Sequence, residues 1–151
     1  MKRNSTTLKY KDASGFTLIE VLISLIIISI GVLGLIGLQV SGLQANQSAS
    51  NRSQAVLAAS DMLDRMRANR TAALGNAYNI SMSSNTPTST ATLAQADLAE
   101  WFTRVENWLP AGDASIELDA ATSVFTITLQ WDESRMRDGS AQQQFVFETQ
   151  I

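Results

Sequence analysis

Between Phe16 and Asn51 the chain has one ionisable side chain, Glu20, and it lies in an apolar run from Gly15 to Leu38 that reads GFTLIEVLISLIIISIGVLGLIGL. An acid within a bilayer segment is costly, because insertion scales place a central charge at roughly 2.5–3.5 kcal/mol. Glu20 therefore calls for a cationic partner, and no Lys or Arg stands between Phe16 and Asn51. Cutting the chain between Gly15 and Phe16 would create one, a new terminal amine four residues from Glu20. On a helix that amine could pair with Glu20 of its own chain or with that of a neighbour, and the sequence leaves both arrangements open.

Other chemistry is sparse. The 151 residues contain no cysteine and no histidine, which removes thiolate catalysis, disulfides and the commonest general base and metal ligand. Asp132, Glu133 and Asp138 stand close together beside Arg135 and Arg137, as paired carboxylates or a cation site would require. They fall in what reads as an exposed loop. With no glycine-rich phosphate loop and no nucleophile elbow, no enzymatic activity and no cofactor are expected. Arg65, Arg67 and Arg70 form a cluster, with Arg52 earlier, that could touch DNA phosphates. Against this, Arg65 can pair with Asp61 or Asp64, and without the first 15 residues seven basic side chains face 13 acidic ones. That balance opposes general attraction to nucleic acid.

These residues need elements to hold them. Lys2, Arg3, Lys9 and Lys11 precede the apolar run, as in a secretory signal peptide. Phe16 to Leu38 is longer than the usual signal core of about 7–15 residues, contains an acid, and follows the small-residue site instead of preceding it. A membrane span at 16–38 with the basic leader, 1–15, on the cytoplasmic side fits better and puts residues 39–151 outside. The 113 residues after Leu38 suffice for one domain.

No proline interrupts Gln39 to Arg70, so one helix is expected from Phe16 to Asn69, with Val56, Ala59, Leu63 and Met66 as its apolar stripe. The Asn/Gln/Ser-rich part, Gln44 to Ser53, is expected to face water or other subunits. Gly31, Gly34, Gly37 and Gly42 read as a flexible point, as places of close helix approach, or as both. Thr71 to Ala91 reads as an extended connection. A second helix is expected from Thr92 to Leu109, with Leu98, Trp101, Phe102, Val105, Trp108 and Leu109 on its core face and Asp97, Glu100 and Glu106 solvated. The rest alternates with period two: Ile116 and Leu118; Phe125, Ile127, Leu129 and Trp131; Phe145, Phe147, Thr149 and Ile151. These make a small antiparallel meander, and the class is α+β.

The hexad GFTLIE at Gly15–Glu20 resembles the processing site of type IV pilins and pseudopilins. IGVLGLIGLQ, then RSQAVLAASDMLDRMRANR at Arg52–Arg70, the helix ending at Leu109-Pro110 and the late Trp131-Asp132 extend the resemblance, which is nearest to PilV-type minor pilins. It implies a pilin-like fold, with a long N-terminal helix packed on a small sheet. It also implies cleavage after Gly15 by a prepilin peptidase, N-methylation of Phe16, and pairing of Glu20 with a neighbour's amine. The implied place is the inner membrane, with the C-terminal domain in the periplasm before incorporation into a pilus. Implied partners are other minor pilins, the major pilin, the prepilin peptidase and the inner-membrane assembly platform, and the implied role is priming assembly or sitting at the filament tip. Many major pilins have a proline where this chain has Gly37. The alternatives are a minor pseudopilin of a type II secretion system and a tip module that binds DNA or a surface.

Overall fold

The structure is a computed structural model that describes residues 15–82, 86–136 and 139–151. Residues 1–14, which hold most of the expected leader and include Lys2, Arg3, Lys9, Lys11 and Asp12, lie outside the described residues, as do Arg137 and Asp138. The elements are α1 (Leu18–Ala68), α2 (Arg70–Leu74), α3 (Leu93–Trp108), β1 (Asp113–Asp119), β2 (Val124–Trp131) and β3 (Gln143–Gln150). This is the α+β class that the patterning predicts, with the long N-terminal helix and small sheet of the pilin-like fold that the resemblance implies. The chain divides into two units, Met1–Val40 and Ser41–Ile151.

In the first unit α1 is unbroken helix through Gly31, Gly34 and Gly37, and every described side chain is exposed. α1 is also long and apolar enough to cross a membrane. Ser24 and Ser29 donate their hydroxyls to the carbonyls of Glu20 and Leu25, each at 2.7 Å. Back-bonding of this kind satisfies a hydroxyl where water is absent.

The second unit has one apolar core, drawn from α1, α3 and the sheet. The sheet order is β1-β2-β3, antiparallel throughout, with Ile116 opposite Ile127 and Ile127 opposite Phe147. Alternation along β2 buries Phe125, Ile127, Leu129 and Trp131, as period two requires of a strand with one covered face. β3 follows the same alternation with its inward residues only half-buried, and it ends at Gln150, one residue short of expectation. Thr92 caps α3 by accepting the Gln95 N–H at 3.3 Å.

Several expectations need correction. The stripe on α1 is Ala55, Ala58, Ala59, Met62, Leu63 and Met66, while Val56 is exposed. Alanines carry little hydropathy, yet their small side chains let α3 lay the Trp101 ring against α1. Gln44 to Ser53 is not wholly solvated, because Asn51 is buried and Gln44 and Ser48 are half-buried. Thr71 to Ala91 is not simply extended. Thr71–Leu74 lies in α2, Tyr78 is fully buried, and Ile80 forms a β-bridge with Ile116. Finally, Trp108 is 42% exposed on the flank of α3, with the Arg104 guanidinium 5.6 Å from its ring centroid.

Candidate processing and assembly site

Gly15 and Phe16 precede α1 in non-helical, exposed backbone. A Cβ at Gly15 would meet no atom within 4 Å. Thr17 is the turning point: its hydroxyl accepts the Glu20 N–H at 3.3 Å, and its carbonyl accepts those of Glu20 and Val21 at 3.1 and 3.3 Å. Thr-Leu-Ile-Glu therefore starts the helix as half of a capping box, with the threonine side doing the capping. The Glu20 side chain is exposed, and among the described residues its carboxylate has no ion pair. It stands in the first turn, where the helix dipole favours a negative charge.

The glycines of this unit make no close contacts. A Cβ built at Gly31, Gly34 or Gly37 meets nothing within 4 Å, and the same holds at Gly42 in the second unit. Packing within the chain therefore does not require glycine at any of them.

The arginine cluster lies in the second unit and is engaged. Arg65 reaches Asp61, Asp97 and Glu100 at 3.2, 3.3 and 3.1 Å, and Arg104 reaches Asp61 and Glu100 at 2.9 and 2.7 Å. The hydrogen bond to Glu100 holds the Arg65 proton more firmly than usual, against the opposing effect of burial. Reciprocally, the Arg65 hydrogen bond draws the Glu100 carboxyl below the usual carboxylate range. Arg67 pairs with Asp64 at 3.5 Å, and Arg70 donates Nε–H to the Ile151 carbonyl at 3.0 Å. A phosphate approaching Arg65 would have to displace three carboxylates. Asp97 is correspondingly not on a solvated side: it also accepts the buried Tyr78 hydroxyl at 2.6 Å. Burial, and then this hydrogen bond, push the Tyr78 phenol up to about 12.

Of the carboxylates in the β2–β3 loop, Asp132 and Glu133 do not form an exposed pair. Asp132 is bound to its own turn, where the Ser134 N–H at 2.7 Å draws its carboxyl below the usual range. Glu133 is only 3% exposed. Its carboxylate accepts the Trp131 indole N–H at 2.8 Å, the Ser48 hydroxyl at 3.1 Å and the Asn51 amide at 3.4 Å. Gln47 in turn donates to Asn51 at 3.0 Å. The polar part of α1 is thus joined to the sheet through one acid. The sequence offers a sign of this only in hindsight: Ser41, Gln44, Ser48, Asn51, Ala55, Ala58 and Met62 continue one stripe at spacings of three and four. Among the described residues no group of three or more acids is placed to hold a metal ion.

Comparison with known families gives two adjoining matches. Residues 10–36 match the prokaryotic N-terminal methylation motif, and residues 37–101 match type IV pilin Tt1218. Together with the α+β architecture these define the class: the chain is a type IV pilin, a family of structural subunits. Its narrower likeness, over the second half of α1 through most of α3, is to the Tt1218 group. No curated protein and no solved structure matches. An N-terminal apolar helix that carries the methylation motif fits a membrane-anchored protein that enters a pilus.

Proposed function

We propose that this chain is a minor pilin of a type IV pilus, of the PilV type, made as an inner-membrane precursor. Residues 1–15 are its leader, 16–38 its membrane and assembly helix, and 39–151 its periplasmic domain. A prepilin peptidase cuts after Gly15 and methylates the amine of Phe16. The methylated amine keeps its charge, and Glu20 neutralises the amine of an adjacent subunit as the filament forms. Such a pair replaces two unpaired charges in an apolar setting with one satisfied contact. Gly31, Gly34 and Gly37 allow the assembly helix to bend there as the subunit leaves the membrane. The partners are other minor pilins and the major pilin, with which the chain helps to prime assembly or sits at the filament tip.

The observation that carries this reading is the uninterrupted GFTLIE hexad, whose Gly15–Phe16 bond lies in exposed backbone ahead of the first helical residue, Leu18. The test is the intact mass and amino-terminal sequence of the protein from membranes of cells with and without the peptidase. A chain that begins at methylated Phe16 only when the peptidase is present is the expected result. A chain that begins at Met1 or near Leu43 in both would overturn the reading.

A further inference from the structure

Coverage of the sheet fades from one strand to the next. β2 alternates between buried and half-buried residues, whereas β3 alternates between half-buried and exposed ones. On the inward face of β3, Phe145 and Phe147 stack with centroids 6.5 Å apart and remain half-buried. Beside them α1 leaves Val56 45% exposed, and a cavity of about 360 Å³ opens between Val56, Arg52, Trp131 and Phe145. Among the described residues no strand pairs with the outer edge of β3. That edge is eight residues long and contains no lysine and no proline; Glu148 is its one charged side chain, and Val146 is 51% exposed.

A positive side chain stands near each end of this edge. Arg52 lines the cavity at the start of β3, next to Gln143 and Gln144. Arg70 stands by the end of β3, bonded through Nε to the Ile151 carbonyl. Both arginines are exposed, and Arg52 has no ion pair among the described residues. From this arrangement we infer that the β3 edge receives an extended segment of a different pilin subunit. That segment adds a fourth strand, lays alternate apolar side chains against Phe145, Phe147 and Val56, and brings an acidic residue to each end for Arg52 and Arg70. Main-chain pairing would supply the affinity, and the cavity and the two charges the specificity.

A second copy of this chain fits less well. Its own opposite edge, β1, has acids at both ends, Asp113 and Asp119, but it is closed at its centre by the bridge between Ile80 and Ile116. Antiparallel pairing of two β3 edges would bring the Arg52 end of one copy to the Arg70 end of the other. The choice of a pilin as partner rests on the function proposed above.

The test places a photo-cross-linking residue at Gln144 or Val146 of the full chain in cells that assemble pili, with Asn107 on α3 as control. In the same samples the mature mass is read, which examines the processing claim separately. The expected result is a cross-link from both β3 positions to one segment of another pilin that has alternating apolar residues and acidic ends. Arg52→Glu with Arg70→Glu should lower its yield by about tenfold, while Arg52→Lys with Arg70→Lys preserves it and both variants keep their thermal midpoint. A cross-link to a second copy, equal yields from Asn107, a yield indifferent to charge reversal, or no cross-link from correctly processed chains would each overturn the inference. A chain left unprocessed, yet cross-linked as expected, would sink the processing claim alone.

Discussion

Trp101 of α3 reaches across to α1 and donates its indole N–H to the Ala58 carbonyl at 2.8 Å, with both residues buried. A mid-helix carbonyl is ordinarily committed to the N–H four residues on, so the contact needs a bare approach to the backbone. Ala55, Ala58 and Ala59 provide it. Phe102 meets Trp101 edge to face, with centroids 5.4 Å apart. Trp101→Phe should cost about 1–3 kcal/mol, from a lost hydrogen bond and a small cavity. Ala58→Leu should cost a similar amount by overpacking, about 1–3 kcal/mol. Denaturant unfolding of each variant, read at its midpoint, decides both.

Glu133 accepts from three donors, so replacing it leaves those donors behind. Glu133→Ala should destabilise the second unit by about 2–3 kcal/mol, because a buried indole N–H and the Asn51 amide lose their acceptor. Glu133→Gln retains one acceptor oxygen and should cost less. A shift in Trp131 fluorescence with Glu133→Ala but not with a substitution at exposed Arg135 would locate the effect. Equal midpoints for Glu133→Ala and the parent would refute it.

Gly139 holds the same loop close to the strand end. A Cβ there would lie 1.8 Å from the Glu133 carbonyl oxygen and 2.8 Å from its carbon, both backbone atoms with little room to yield. Gly139→Ala must therefore move the loop, and its loss of stability should not add to that of Glu133→Ala. A double-mutant cycle tests the coupling, and simple additivity would show that the two act separately.

Tyr78 gives the domain an alkaline limit. Its phenol is pushed up to about 12 in the folded chain, from an ordinary value of about 10. The raised value means that the folded state favours the protonated form. This contribution is full below about pH 10 and is lost as pH rises toward 12. The parent should therefore lose thermal stability over that window more steeply than Tyr78→Phe, which has nothing to ionise there. Tyr78→Phe should also be less stable at neutral pH by about 1 kcal/mol, having lost its bond to Asp97. Parallel pH profiles for the two proteins would exclude the phenol as the cause.

Glu20→Ala should insert in the membrane at least as readily as the parent and reach the mature mass, but enter filaments poorly. Quantifying the variant in sheared pili against its level in membranes is the direct measurement. Normal incorporation would remove the charge-pairing role proposed for Glu20.

Much of this architecture could be read from residue order. The alternation of Phe125, Ile127, Leu129 and Trp131 needed one covered sheet face, and the chain supplies one. The stripe on α1 was displaced because alanine is nearly silent on a hydropathy scale, although at Ala58 its lack of bulk determines the packing. A run of Asp, Glu, Ser and Arg reads as solvated loop, and nothing in it marks Glu133 as buried. Only the fold shows that its partners, Ser48 and Asn51, come from more than 80 residues earlier. The Tyr78–Asp97 bond is silent for the same reason, and Asp97 reads as solvated: long-range polar pairs leave no periodic trace. The Gly15–Glu20 hexad was legible because its signal is contiguous.

Gly31, Gly34, Gly37 and Gly42 touch nothing that a methyl group would disturb. Replacing one with alanine would strengthen the lone helix by about 1 kcal/mol, so any harm would be borne by the polymer and not by the subunit. Screens that score folding, expression or melting would then rank such variants as improvements. Their defect would be collective, visible only once many chains are stacked together, and fibre length or shear resistance would reveal it where a melting curve could not.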